Sequence, residues 1–243
     1  MSETAGDVSW SSLPNKGQLF IIVLARFSEP VVRTSISTYV FYRLQSLDPS
    51  RPIDAIVRDA AMLQTVFTLA QGCTAVLWGH LADSSKGGRK VVLLISLGGS
   101  CTAAFGFVRD FRQAVILRLL EGAVNGNTAM IRTMVSEVVK ERHYQAKAFV
   151  LMPLAYNIAV IVSPMVAGLL ADLASQYPQS FGQISFFRQF PYAPPAIVSA
   201  LVTLAAFLFV FFKLKEVRIL FDNALLFPPT FIDDRHLIHR HMK

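Results

Sequence analysis

The chain has 243 residues, 53% hydrophobic and 16% charged, with a mean hydropathy of +0.46 and a formal net charge of +7. A soluble domain carries about 25% charge, so an ordinary water-soluble fold is excluded and an all-α membrane protein is expected; a transmembrane barrel would need alternating short strands, which the sequence lacks. Nor does the positive balance mark a nucleic-acid partner, because the basic residues alternate with apolar runs instead of gathering on one soluble face.

Six apolar runs are expected to form transmembrane helices, each able to cross a hydrocarbon layer of about 30 Å. The division is a cytoplasmic N-terminus over residues 1–17, a six-helix bundle over 18–215 and an irregular cytoplasmic tail over 216–243. With the N-terminus inside, the inward loops hold ten basic residues, Lys16, Lys86, Arg89 and Lys90 among them, and the outward loops five. That bias puts both termini in the cytoplasm. Residues 1–16 lack a basic n-region, so the first span is its own insertion signal.

Span 1, residues 18–44, carries Arg26, Glu29, Arg33 and Ser37 at spacings of 3, 4 and 4, which sets them on one face. Charge at bilayer depth must pair or meet water, so this face points into the protein or a cavity. Pro30 should kink the helix, and Arg43 reads as a side chain snorkelling near the end. Span 2, residues 57–79, bears small residues at Thr68, Gly72, Ala75 and Gly79, a strip that admits another helix at close range.

The stretch from Gly79 to Lys90 joins spans 2 and 3. Asp83 can accept hydrogen bonds from backbone N–H groups at a helix start. Gly87 and Gly88 permit a tight reversal, and Arg89 and Lys90 hold the loop inside. Span 3, residues 91–108, is uncharged and reads as scaffold against lipid.

In span 4, residues 113–138, Arg118, Glu121, Asn125, Thr128 and Arg132 recur at 3, 4, 3 and 4 as an unbroken polar stripe, with Gly122 and Gly126 on an adjacent edge. Such a stripe lines an aqueous path or a buried charge network; the aqueous path is favoured. Glu137 closes the span on the same side as Arg89, and an ion pair between them is expected to latch the inner face. Span 5, residues 144–171, places Ala155, Ala159, Ser163, Ala167 and Ala171 at every fourth position, with Pro164 and Gly168 beside them, an interface for another helix. Span 6, residues 192–212, is nearly all apolar and again reads as scaffold.

Cys73 and Cys101 lie in apolar runs of different spans and read as packing residues, not a disulfide or metal pair. His236, His239 and His241 in the tail lack accompanying carboxylates, so no metal is expected. No cofactor is expected either. There is no nucleotide loop and no Ser/His/Asp grouping, which argues against an enzyme.

These motifs resemble those of the major facilitator superfamily. Gly79-His80-Leu81-Ala82-Asp83 with Gly88-Arg89-Lys90 is similar to its signature between the second and third helices, and Arg118-Leu119-Leu120-Glu121-Gly122 to its fourth-helix motif. Ser163-Pro164-Met165-Val166-Ala167-Gly168 resembles the fifth-helix signature of the drug:proton antiporter branch. Arg26-Phe27-Ser28-Glu29-Pro30, Val124-Asn125-Gly126-Asn127, Arg132-Thr133-Met134-Val135-Ser136-Glu137 and Phe190-Pro191-Tyr192-Ala193 resemble fungal members. The likeness spans residues 19–216. Asp83 to Arg89 is two residues longer than the common loop, Ser163 and Ala167 replace glycines, and Arg33 adds a charge.

The resemblance implies the N-terminal, three-plus-three half of a twelve-helix fold that carries a small molecule, coupled to protons, by alternating access. Arg26, Glu29, Arg33, Arg118, Glu121, Asn125 and Arg132 would line the cavity and serve coupling, Arg118 especially. Gly79, Asp83, Gly88, Arg89, Lys90 and Glu137 would gate the inner face. The strips on span 2 and on span 5 (Ala159, Ser163, Pro164, Ala167, Gly168) would face a second half and lack a partner within this chain. A homodimer or a separate six-helix chain is therefore expected, in the plasma or vacuolar membrane. The alternative is a truncated, non-transporting membrane protein that associates with full-length carriers or is inactive.

Overall fold

The computed structural model describes residues 14–84 and 87–215. His236, His239 and His241, the tail from 216 and Lys86 lie outside the described residues. Within them every regular element is a helix: α1 (Lys16–Leu47), α2 (Ile53–Asp83), α3 (Arg89–Gly98), α4 (Thr102–Phe105), α5 (Phe111–Val124), α6 (Asn127–Val138), α7 (Arg142–Leu170), α8 (Leu173–Gln176), α9 (Pro178–Phe181), α10 (Ser185–Gln189) and α11 (Ala193–Lys213). Three of them, α2, α7 and α11, are long and apolar enough to cross a membrane.

Two apolar runs expected as single helices are each broken. Span 3 stops at Gly98 and restarts at Thr102 as α3 and α4, so it is not a continuous scaffold helix. Span 4 breaks at Asn125-Gly126 between α5 and α6, which divides its polar stripe between two helices. An Asn-Gly pair favours a turn over a helix interior, and partners for the freed backbone come from neighbouring segments. Trp78 Nε1 on α2 donates to the Ala123 carbonyl at 2.8 Å, and the Gly126 N–H donates to Ser96 Oγ on α3 at 2.9 Å. Irregular backbone at bilayer depth is tolerated only with such partners.

α1 lies at the centre, packed mainly on α7 and α11, while α2 packs on α5. Beside a small cluster of Ala82, Val92 and Met130, two large apolar cores form. One gathers Leu19, Ile22, Leu93, Ile131 and Val210; the other gathers Ile36, Tyr39, Ile56, Phe105 and Tyr192. On α1 the first core uses residues up to Ala25 and the second begins at Val32. Arg26, Ser28 and Glu29 sit between them, so the polar groups form a layer between two greasy ends.

Contacts beyond each core tie the ends together. At the first, Asn15 Nδ2 donates to the Val138 carbonyl at 3.1 Å, and Lys90 Nζ to those of Phe211 at 3.0 Å and Leu214 at 2.6 Å. At the second, Arg43 is buried, donates to the Val108 carbonyl and lies 5.8 Å from the Tyr192 ring. Snorkelling is thus corrected: the guanidinium serves a carbonyl where span 3 has lost its helix. In the connection from α1 to α2, Asp48 accepts from the Ser50 hydroxyl at 2.6 Å, which holds its carboxyl below the ordinary range.

The strip on α7 is also corrected. Ala155, Ala159, Ser163 and Ala167 are buried, and Ser163 Oγ donates to the Val31 carbonyl of α1 at 2.7 Å. Small residues here let α1 approach closely, so the strip has its partner within the chain; Pro164 and Gly168 flank it half-buried. The α2 strip differs, for Thr68, Gly72 and Ala75 stand exposed and an added Cβ at Gly72 or Gly79 would meet nothing. Cys73, on that helix, is exposed rather than packed.

Candidate functional site

The polar layer opens on one side as a groove of about 540 Å³ between α1, α2, the α5–α6 break and α7. Arg26, Glu29 and Arg33 of α1 line it, with Gln71 and Trp78 of α2, Asn125 and Gly126 at the break, Thr128 and Arg132 of α6, and Tyr156 of α7. One turn per three or four residues brings the α1 charges to this wall. The break turns α6 so that Thr128 reaches across to α1.

Glu29 is the hub. Its Oε2 accepts from Arg26 Nη1 at 2.7 Å and from Thr128 Oγ1 at 3.0 Å. The Arg26 guanidinium also lies 5.2 Å from the Tyr156 ring, a cation–π contact. Arg33 is exposed to the groove; with the Gln64 amide oxygen turned toward it, Arg33 Nη2 donates at 3.1 Å. Arg132 is exposed as well, and no carboxylate among the described residues pairs with it.

Arg118 and Glu121 stand apart from this groove. They are 2% and 6% exposed, and Arg118 Nη1 donates to Glu121 Oε2 at 3.0 Å. Thr102 Oγ1 donates to the other carboxylate oxygen at 3.3 Å, and Phe105 and Phe67 present their rings to the guanidinium at 5.1 and 5.6 Å. The row that looks continuous in sequence is therefore two sites, a sealed ion pair and an open groove. A small cavity of about 30 Å³ lies between them, lined by Glu29, Glu121, Asn125, Asn127 and Ser96, with room for a water or two.

At the inner end, Arg89 pairs with Glu137, and its Nη2 lies 3.9 Å from Asp83 Oδ1. The Asp83 side chain is 77% exposed. The expectation that it binds backbone N–H groups of a neighbouring helix start is corrected, since among the described residues Arg89 is its partner. The loop is tight. The Leu81 carbonyl accepts from Ser84 N–H and Gly88 N–H, both at 3.3 Å, and Gly88 has φ 125°, which only glycine adopts without strain. Lys90 instead reaches the end of α11.

Sequence reasoning missed Trp78, Gln71, Gln64 and Tyr156. Gln64, Gln71 and Trp78 recur on α2 at seven-residue intervals, a same-face spacing that was the available signal; Tyr156 on α7 had none.

A bundle with paired charges held between two apolar cores, a polar groove at that level and helices long and apolar enough to cross a membrane defines an integral, multi-pass membrane protein. The comparisons carry this to a family. The sequence profile of the Major Facilitator Superfamily matches residues 20–227, and the chain belongs to that superfamily. It is similar to the Major facilitator superfamily multidrug transporter mfsB of Aspergillus fumigatus, 31% identical over 217 residues that cover 88% of this chain and 36% of that protein. A probable peptide/nitrate transporter of Arabidopsis thaliana is 30% identical over 68% of this chain and 34% of its own length. The efflux pump azaK of Aspergillus niger is 31% identical over 62% and 31%. The chain thus spans about a third of the length of the curated relatives it matches. No solved structure matches it.

Proposed function

We propose that the chain forms the six-span, cytoplasm-facing N-terminal half of a secondary transporter, moving a small molecule against protons by alternating access. Six spans follow if α3 with α4 and α5 with α6 each make one broken crossing; discontinuous helices beside a midplane site are a feature of such carriers. The observation that carries the reading is the open groove with Arg26, Glu29, Arg33 and Arg132 at the level between the two cores. Facing lipid, a central Arg or Asp costs about 2.5–3.5 kcal/mol on insertion scales. Water and a second six-helix half on the α2 side remove that cost.

In this reading Glu29 is the carboxylate that exchanges protons with the groove, and Arg118 with Glu121 fixes the α5 end. The Arg89–Glu137 pair, with Asp83 facing outward, latches the inner side. The second half is either another copy or a separate six-helix segment, docked on Gly72 and Ala75. Both termini lie in the cytoplasm.

The test is flux in proteoliposomes holding the purified chain and a pH dye, challenged with a panel of neutral, cationic and anionic small solutes. At least one solute should move protons in the opposite direction, and Glu29→Gln should abolish that exchange. Proton movement indistinguishable from empty vesicles for every solute would remove transport by this chain alone and leave the non-transporting reading.

A further inference from the structure

Four charged side chains line the groove, three arginines against a single glutamate. The glutamate is already engaged by Arg26 at 2.7 Å. Arg33 has an amide neighbour, not an acid. Arg132 is exposed and unpaired among the described residues. It also stands where the groove meets a second, mostly apolar hollow of about 510 Å³ lined by Arg26, Phe149, Met152, Pro153 and Tyr156. A guanidinium at bilayer depth without a carboxylate needs an anion or water, and its planar fork suits a carboxylate through two parallel hydrogen bonds.

We infer that Arg132 is the anchor for the acidic group of an organic anion whose apolar or aromatic body lies in the neighbouring hollow. This rests on the carrier reading and names its substrate class. Arg26 is held by Glu29 and Tyr156, so it shapes the wall and leaves the free charge to Arg132 and Arg33. A cationic solute would meet two unpaired guanidiniums. A neutral one would leave the anchor unsatisfied. Both are disfavoured by the same charge count, and the hollow is large enough for a fused-ring body.

The test uses the full chain in nanodiscs, with binding of radiolabelled 2-naphthoate and its cationic counterpart 2-naphthylmethylamine at neutral pH. Naphthoate should bind more tightly, and Arg132→Gln should weaken it by about tenfold or more, while Arg132→Lys recovers part of the loss and Arg132→Glu reverses the preference. Circular dichroism of each variant separates lost binding from lost fold. Equal binding of both probes, no binding of naphthoate, or naphthoate binding unchanged in a folded Arg132→Gln variant would overturn the assignment. Flux in vesicles keeps the two readings apart. Arg132-dependent naphthoate binding without flux preserves the anchor and removes transport, whereas flux of the cation alone preserves transport and removes the anchor.

Discussion

At position 126 a hydrogen atom occupies the space where any other side chain would collide. A Cβ there would meet both Trp78 and Val92 at 2.9 Å, so Gly126→Ala forces α2 or α3 to move. We expect a loss of about 1–3 kcal/mol, as for other overpacked positions, seen as a lower midpoint in thermal unfolding in detergent. Arg118→Ala is expected to cost more, about 3–5 kcal/mol, because it strands the Glu121 carboxylate in a buried site. The double change Arg118→Met with Glu121→Leu should restore most of that stability in the same assay; a double variant as unstable as the single would contradict a simple pair. The three-residue spacing of Arg118 and Glu121 puts them on one helical face in sequence, but there the face reads as the wall of an aqueous path, not as a buried pair. Their separation from Thr128 and Arg132 was not legible, because a helical count extends a face straight through a break it cannot see. Arg43 was illegible for a related reason. Only the lost helix around Val108 gives its guanidinium a carbonyl to serve.

Among whole elements, periodicity read the two small-residue strips alike, yet they have opposite fates. The α7 strip is filled by α1, with Ala159 wholly buried, whereas on the α2 strip a Cβ at Gly72 or Gly79 would meet nothing among the described residues. Leucine at Ala159 should therefore destabilise the chain by about 1–3 kcal/mol. Leucine at Gly72 should leave the melting temperature of the isolated chain nearly unchanged and act only on assembly. Parallel melts with size-exclusion chromatography check both. Spacing of small residues tells that a helix will come close, but not which helix, since that depends on connection lengths and on the Ser163 hydroxyl finding a carbonyl. The breaks carried local signals in Gly98-Gly99-Ser100 and Asn125-Gly126, but the apolar runs on either side read as single spans, and the groups that serve the freed backbone at the second break, Ser96 and Trp78, come from other spans.

For the molecule as a whole, the class was legible because the hydrocarbon layer constrains composition directly: long apolar runs, punctuated by short basic loops, allow few folds. The depth of the groove was not, for it needs four segments to be brought together. If a second half docks on α2, a cysteine at Ala75 in a Cys73→Ser background should cross-link copies in membranes while one at Ala159 should not; strictly monomeric bands at Ala75 would exclude a homodimer through this face. The inner latch should tolerate exchange. Arg89→Glu and Glu137→Arg alone should each lower stability, and together recover it, measured by unfolding midpoint. Finally, the indole that plugs the gap at Ala123 makes the chain its own optical gauge. Trp78 and Trp10 are its two tryptophans, so after Trp10→Phe every photon of tryptophan emission comes from the seam between α5 and α6. Should that seam zip into continuous helix in the proposed transport cycle, the ring would lose its carbonyl acceptor and its emission would change colour in step with solute, with no added dye.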